Sequence, residues 1–173
     1  MRLYVVNVDG DELEGCRKKT LLTEKNAESM KGILSRYHMD KVYSSSLFKA
    51  KEMAEISVPY LKAEIWNELD VVDKDSIRES VWAFMKEMES EDPDVFIAVF
   101  THTLSLLEMV LYIENRSLGD NALSSSVSDL MLFDYRYGKW RIEDPFFFCS
   151  LEKTEASIPN LHCATLPSLN AHS

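Results

Sequence analysis

Leu3-Tyr4-Val5-Val6-Asn7-Val8 is a nearly continuous apolar, β-branched run that stops at Asp9-Gly10, a turn signal. It predicts a buried opening strand. Beyond a polar stretch, Thr23 stands in a capping position ahead of Ala27, Met30, Leu34 and Tyr37, whose spacing by three and four predicts a helix. Lys41-Val42-Tyr43 predicts a short strand. Ser44-Ser45-Ser46 follows at once and offers several caps to a helix carrying Leu47, Ala50 and Ala54. Ala63 to Leu69 fits no period and reads as an extended segment. Ser76 and Glu79 have capping-box spacing, and Ile77, Val81, Phe84, Met85 and Met88 define one helical face. Glu91-Asp92-Pro93-Asp94 ends it.

Val95-Phe96-Ile97-Ala98-Val99-Phe100 is the strongest strand signal in the chain. A continuous apolar run is buried on both faces, which predicts a central, parallel strand. Thr101-His102-Thr103 follows, and Leu104, Leu107, Val110 and Leu111 begin another helix. Val127 to Tyr135 and Lys139 to Ile142 flank Arg136-Tyr137-Gly138 and read as a hairpin near an edge. From Asp144 the period is lost. Phe146-Phe147-Phe148 is expected to pack on the domain and the last ten or so residues to be loose. Strand and helix alternate without an internal repeat, which predicts an α/β class with a mostly parallel sheet. The expected organisation is one domain over residues 1–143 and a C-terminal extension over 144–173.

Composition narrows the function classes. The 173 residues are 46% hydrophobic and 28% charged, with ample apolar surface for a folded core. The formal net charge of −10 disfavours a general nucleic-acid binder, and Cys16-Arg17-Lys18-Lys19 is the densest basic run. Cys16, Cys149 and Cys163 are odd in number and lack CxxC spacing, so no disulfide framework or zinc site is expected. His38, His162 and His172 have no partner at metal-ligand spacing, and no metal or other cofactor is expected. No secretory leader and no apolar run of membrane-spanning length is visible, so a cytoplasmic, non-membrane protein is the expectation.

In an open α/β sheet, ligands sit beyond the carboxyl ends of the strands. Three such ends are polar: Asn7-Val8-Asp9-Gly10, Ser44-Ser45-Ser46 and Thr101-His102-Thr103. Here the chain resembles the histidine phosphatase superfamily, over roughly Met1 to Ile142. Arg2-Leu3-Tyr4-Val5-Val6 is similar to that family's opening strand, which leads into Arg-His-Gly. Leu22-Thr23-Glu24-Lys25-Asn26-Ala27 loosely matches its Leu-Thr-x-x-Gly-x-x-Gln-Ala helix start. Tyr43-Ser44-Ser45-Ser46-Leu47-Phe48-Lys49-Ala50 resembles its Tyr-Ser-Ser-Pro-Leu-x-Arg-Ala motif, the most specific match, and Val99-Phe100-Thr101-His102 its Val-x-Thr-His. The resemblance implies a three-layer α/β/α sandwich of the phosphoglycerate-mutase-like kind. The short length is similar to the compact branch that includes phosphohistidine phosphatases.

The resemblance also implies a chemistry: phosphoryl transfer through a histidine nucleophile, with two arginines and a second histidine on the phosphoryl oxygens, where charge spreads in the transition state. Aligned without gaps, the first arginine falls on Asn7 and the nucleophile on Val8. Shifted by one to match Gly10, they fall on Val8 and Asp9. Neither register supplies an imidazole. The second arginine falls on Lys49, which keeps the charge without the planar fork. The second histidine is His102. The family's acidic proton donor has no firm counterpart; Glu68 and Asp73 are nearby, and the compact branch need not have one.

Valine has no lone pair with which to attack phosphorus, so the implied reading is a degenerate site: a pseudophosphatase with a vestigial pocket of Asn7, Val8, Asp9 and His102. Its ligand or partner would be a protein or a small phosphorylated molecule, with the acidic charge favouring a basic partner. The alternative is a residual or altered phosphatase that uses Asp9 or an activated water, with Lys49 and His102 as phosphate ligands. Asp9-Gly10 is also an ordinary turn. His102, before a helix N-terminus, reads equally as a weak anion ligand or as a relic bonded within the fold. Val6-Asn7-Val8-Asp9-Gly10-Asp11 is similar to the Asp-x-Asp-Gly-Thr motif of haloacid-dehalogenase-like hydrolases. There, however, the essential first aspartate would be Asn7, and Tyr43 to Ala54 would go unexplained. Other candidate features are Arg17 and Lys18 as spatial replacements, the acidic run Glu87, Glu89, Glu91, Asp92 and Asp94, and self-association through Phe146 to Phe148.

Overall fold

The β-branched opening run forms β1 (Arg2–Asn7), buried from Leu3 onward. A computed structural model describes residues 1–8, 21–70, 74–114 and 129–143, with the backbone alone at 21–24 and 74–75. Burial on both faces suits a strand with neighbours on each side, and β1 has them. It pairs in parallel with β4 (Phe96–Thr101) and antiparallel with β5 (Leu130–Arg136). β2 (Lys41–Ser44) extends the parallel part between β4 and the two-residue β3 (Glu64–Ile65), while β6 (Lys139–Glu143) closes the other edge. The sheet has six strands in the order β3-β2-β4-β1-β5-β6.

Alternation along the strands sorts the core into two layers. Tyr4, Val6, Ala98, Phe100, Leu130 and Leu132 face α1 (Leu21–Leu34) and α2 (Phe48–Ser57). Leu3, Val5, Ile97, Val99, Met131 and Phe133 face α3 (Lys74–Met88) and α4 (Thr103–Glu114). The expected α/β/α sandwich with a mostly parallel sheet is what the chain forms. The α3 stripe behaves as its spacing predicts: Ile77, Val81, Phe84, Met85 and Met88 are at most 2% exposed. Each contributes about 1.5–3 kcal/mol of transfer free energy. Among the described residues, no helix is long and apolar enough to cross a membrane.

Several local expectations are corrected. Thr23 and Ser76 lie inside α1 and α3, which begin at Leu21 and Lys74, so neither stands at a cap position. The three serines do not cap α2 either. Ser44 ends β2, Ser45 N–H continues the ladder onto Phe100 O (3.0 Å), and Leu47 is the N-cap without a side-chain bond. Strand pairing carries the backbone past the point where local capping would start the helix. Tyr37 lies beyond α1, with its ring 5.0 Å from that of Tyr4. In α4 the fully buried face is Ser105, Leu106, Glu108, Met109, Val110 and Leu111, while Leu104 and Leu107 are half-buried. Arg136 belongs to β5, leaving a two-residue turn, Tyr137-Gly138, with φ of 54° and 73°. Positive φ at both positions is the hairpin turn whose twist matches the strands it joins.

Residues 144–173 lie outside the described residues, with Phe146 to Phe148, Cys149, Cys163, His162 and His172 among them.

Candidate functional site

The register of β1 on β4 sets Asn7 opposite Thr101, and Val8 N–H bonds Thr101 O at 2.7 Å. Val8 therefore stands beside His102, where the two central parallel strands leave the sheet. Both Asn7 and Val8 are 7% exposed. The Asn7 amide oxygen accepts from the Thr103 hydroxyl at 3.2 Å, which ties the end of β1 to the first turn of α4.

His102 has both ring nitrogens within reach of one residue. Ser105 N–H points to Nδ1 at 3.4 Å, and Ser105 Oγ lies 3.2 Å from Nε2. The Ser105 hydroxyl donates its proton to Leu69 O at 2.9 Å. A hydroxyl that donates elsewhere accepts from Nε2–H, and Nδ1 then accepts from the backbone N–H, so the network selects the Nε2–H tautomer. Leu69 O also receives the Thr101 hydroxyl at 3.2 Å. Burial pushes the His102 pKa below its ordinary 6.5, against the opposing pull of the Leu69 carbonyl and the Asp70 charge. The shift favours the neutral ring.

Leu69 closes a short 3₁₀ turn (Asn67–Leu69), and Asp70 follows it. One Asp70 carboxylate oxygen accepts Ser46 N–H at 2.6 Å, so the third serine is held by its backbone. Ser44 Oγ donates to Ser45 O at 2.9 Å. Ser45 Oγ is buried without a hydrogen-bond partner. Lys49 is half-buried in the first turn of α2, and Glu68 is exposed. Asp9, Asp73, Arg17 and Lys18 lie outside the described residues.

The structure thus brings Asn7, Val8 and His102 together at one end of the sheet. Sequence reasoning missed Ser105 and Asp70. Ser105 had a visible signal: a hydroxyl inside the apolar run Leu104-Ser105-Leu106, three residues after His102, and so on its helical face. Asp70 had none, since an aspartate after a leucine in a polar stretch reads as a loop residue.

The remaining candidates have structural partners. Glu89 Oε1 accepts the Tyr112 hydroxyl (2.8 Å) and the Trp140 indole N–H (2.9 Å). Glu91 pairs with Lys41 at 2.5 Å, and Asp92 accepts Asp94 N–H at 3.0 Å. Much of the acidic run therefore braces α3, β2 and the hairpin. His38 stacks on Tyr60, with ring centroids 5.7 Å apart. Among the described residues, no His, Cys, Asp or Glu cluster is grouped to hold a metal ion.

No protein-family model matches the sequence, and no curated protein matches it. Solved structures do match the fold. YhfR of Bacillus stearothermophilus superposes with a TM-score of 0.68 at 12% identity, over 82% of this chain and 94% of that one. The alpha-ribazole phosphatase of Shigella flexneri gives 0.68 at 12%, over 83% and 95%. The phosphoglycerate mutase of Plasmodium falciparum gives 0.61 at 17%, over 95% and 97%. The chain has the phosphoglycerate-mutase-like fold that these proteins share. At such identities the likeness extends to the fold alone.

Proposed function

We propose that the protein is a pseudophosphatase: a non-catalytic histidine-phosphatase-like protein that binds a protein partner or a small phosphorylated ligand instead of turning one over. One observation carries the reading. Val8, with a side chain that cannot attack phosphorus, stands beside His102 where the ungapped motif alignment expects the nucleophilic imidazole, and the register shifted by one puts Asp9, likewise no imidazole, at that position. The polar groups around it support the same reading. Asn7 is bonded to Thr103, and His102 turns both nitrogens to Ser105. A phosphoryl site needs donors aimed at the ligand oxygens before the reaction, and here the imidazole donor faces the protein. In this reading the chain retains the fold of a phosphatase without its covalent step, and its cellular setting is the cytoplasm.

The test is hydrolysis of p-nitrophenyl phosphate and of a phosphohistidine peptide by the purified protein and by His102→Ala. The expected result is a rate indistinguishable from buffer for both proteins. Turnover by the wild type that His102→Ala abolishes would instead establish a residual hydrolase with His102 as a phosphate ligand.

A further inference from the structure

A second concavity lies at the opposite end of the same strands. A cavity of about 510 Å³ opens between Arg2 and Phe96 at the starts of β1 and β4, Asp94 on the preceding loop, and Arg136 and Tyr137 on the β5–β6 hairpin. That volume lies within the range of small-molecule sites. From Phe96 to Thr101 the strand rises about 17 Å, at ~3.3 Å per residue, so this cavity is separate from the His102 end.

Its chemistry is unlike that of the surrounding surface. On a chain of formal charge −10, two guanidinium groups converge here on one carboxylate. Arg136 Nε lies 2.9 and 3.1 Å from the two Asp134 oxygens, and Arg2 Nε lies 4.0 Å from one of them. Among the described residues, Asp134 is the sole carboxylate paired with either arginine. Asp134 is 6% exposed, whereas the Arg136 side chain is half exposed and that of Arg2 about a third. Taken by itself the Arg2–Arg136–Asp134 trio carries one positive charge. Asp94 lines the loop side of the same cavity, so the anionic group is seated on the arginine side, away from that carboxylate.

Aromatic groups complete the site. The Arg2 guanidinium lies over the Phe96 ring, 5.6 Å from its centroid. Tyr137 is 99% exposed and sits at φ 54°. A side chain pays for the left-handed region sterically unless it is short and polar, and Asn-Gly is the favoured pair for this turn. The exposed ring buries nothing that would offset that strain. The Tyr137 ring therefore lines the rim of the cavity with its surface free to contact a ligand.

We propose that this cleft binds a small anion carrying an aromatic or heteroaromatic ring, with the anionic group on Arg136 and Arg2 and the ring against Tyr137. Guanidinium forks match carboxylate and phosphate oxygens alike, so the shared chemistry is a planar ring bearing one such group.

The probe is 5′-AMP, titrated calorimetrically at low ionic strength into the whole chain, with adenosine and inorganic phosphate as its separate halves. The expected result is saturable one-to-one binding of AMP, with each half weaker by about tenfold or more. Arg136→Met should weaken AMP binding by roughly tenfold or more, and His102→Ala should leave it unchanged. Should Arg136→Met fold poorly, Tyr137→Asn decides. It suits the turn, so melting should not fall, while AMP binding weakens about three- to tenfold. Absence of AMP binding overturns the proposal, as does binding that both cleft variants preserve or that His102→Ala abolishes. Phosphate binding as tight as AMP would likewise overturn it, because the ring would then contribute nothing.

Discussion

At the carboxyl ends of β1 and β4, polar groups bond to one another: Asn7 to Thr103, His102 to Ser105, and Ser105 and Thr101 to Leu69 O. At the amino ends of the same two strands, Arg2 and Arg136 share a single carboxylate beside an open cavity. Both ends rest on one sheet and one pair of cores. What separates them is where the polar groups point. Around His102 they bond to one another, with Ser45 Oγ the buried exception, whereas the two arginines share one carboxylate and keep part of each guanidinium exposed for a ligand.

The largest expected effect comes from restoring the imidazole at the closed end. Val8 is 7% exposed, so Val8→His overpacks its slot and costs about 1–3 kcal/mol, read as a lower denaturant midpoint. No phosphatase activity should appear, because the His102 donor still faces Ser105. A stable, active Val8→His would break the comparison by showing that the site lacked nothing else.

Ser105→Ala removes the bridge between His102 and Leu69 O. The expected loss is about 1–2 kcal/mol, measured by chemical unfolding. An unchanged stability would mean that this network contributes little to holding the end shut.

A smaller effect is the pH dependence that His102 confers. Its folded pKa lies below 6.5 because burial disfavours the charged ring. The unfolded chain therefore takes up the proton first as pH falls. Stability is fully present above about pH 6.5 and declines as pH drops from there toward the folded pKa. Melting temperature measured from pH 7.5 to 5 should fall more steeply for the wild type than for His102→Gln. Equal slopes would indicate a solvated imidazole, which the hydrogen-bond network contradicts.

At the open end, the smallest effect is a gain. Tyr137→Asn should recover part of the about 1–2 kcal/mol that a left-handed residue costs, seen as a slightly higher melting temperature. A loss would mean that the tyrosine supports the hairpin, and the rim of the cleft would then be structural.

Much of the fold was legible in the sequence. Val95 to Phe100 announced a central parallel strand because burial on both faces leaves no room for polar alternation, and the α3 stripe announced its face by spacing. Helix starts were less legible. Thr23, Ser76 and the serine triplet have capping chemistry, but sheet pairing and packing decide where the chain turns. At the candidate site, strand order could be read and closure could not. His102 and Val8 were visible as residues at strand ends. That Ser105 would take both ring nitrogens depends on a helical turn laid over Leu69, a contact across 36 positions of chain. The amino-end cleft was invisible for the same reason. Arg2 and Arg136 lie at opposite ends of the described chain and meet through the antiparallel pairing of β1 with β5.

Calorimetric titration with orthovanadate, with His102→Ala as the control, tests the central claim most directly. Vanadate adopts the five-coordinate geometry of phosphoryl transfer, so a working site prefers it to phosphate. A closed carboxyl end predicts no binding that depends on His102. Tight vanadate binding to the wild type, lost in His102→Ala, would contradict it and show that the imidazole turns outward to serve a ligand.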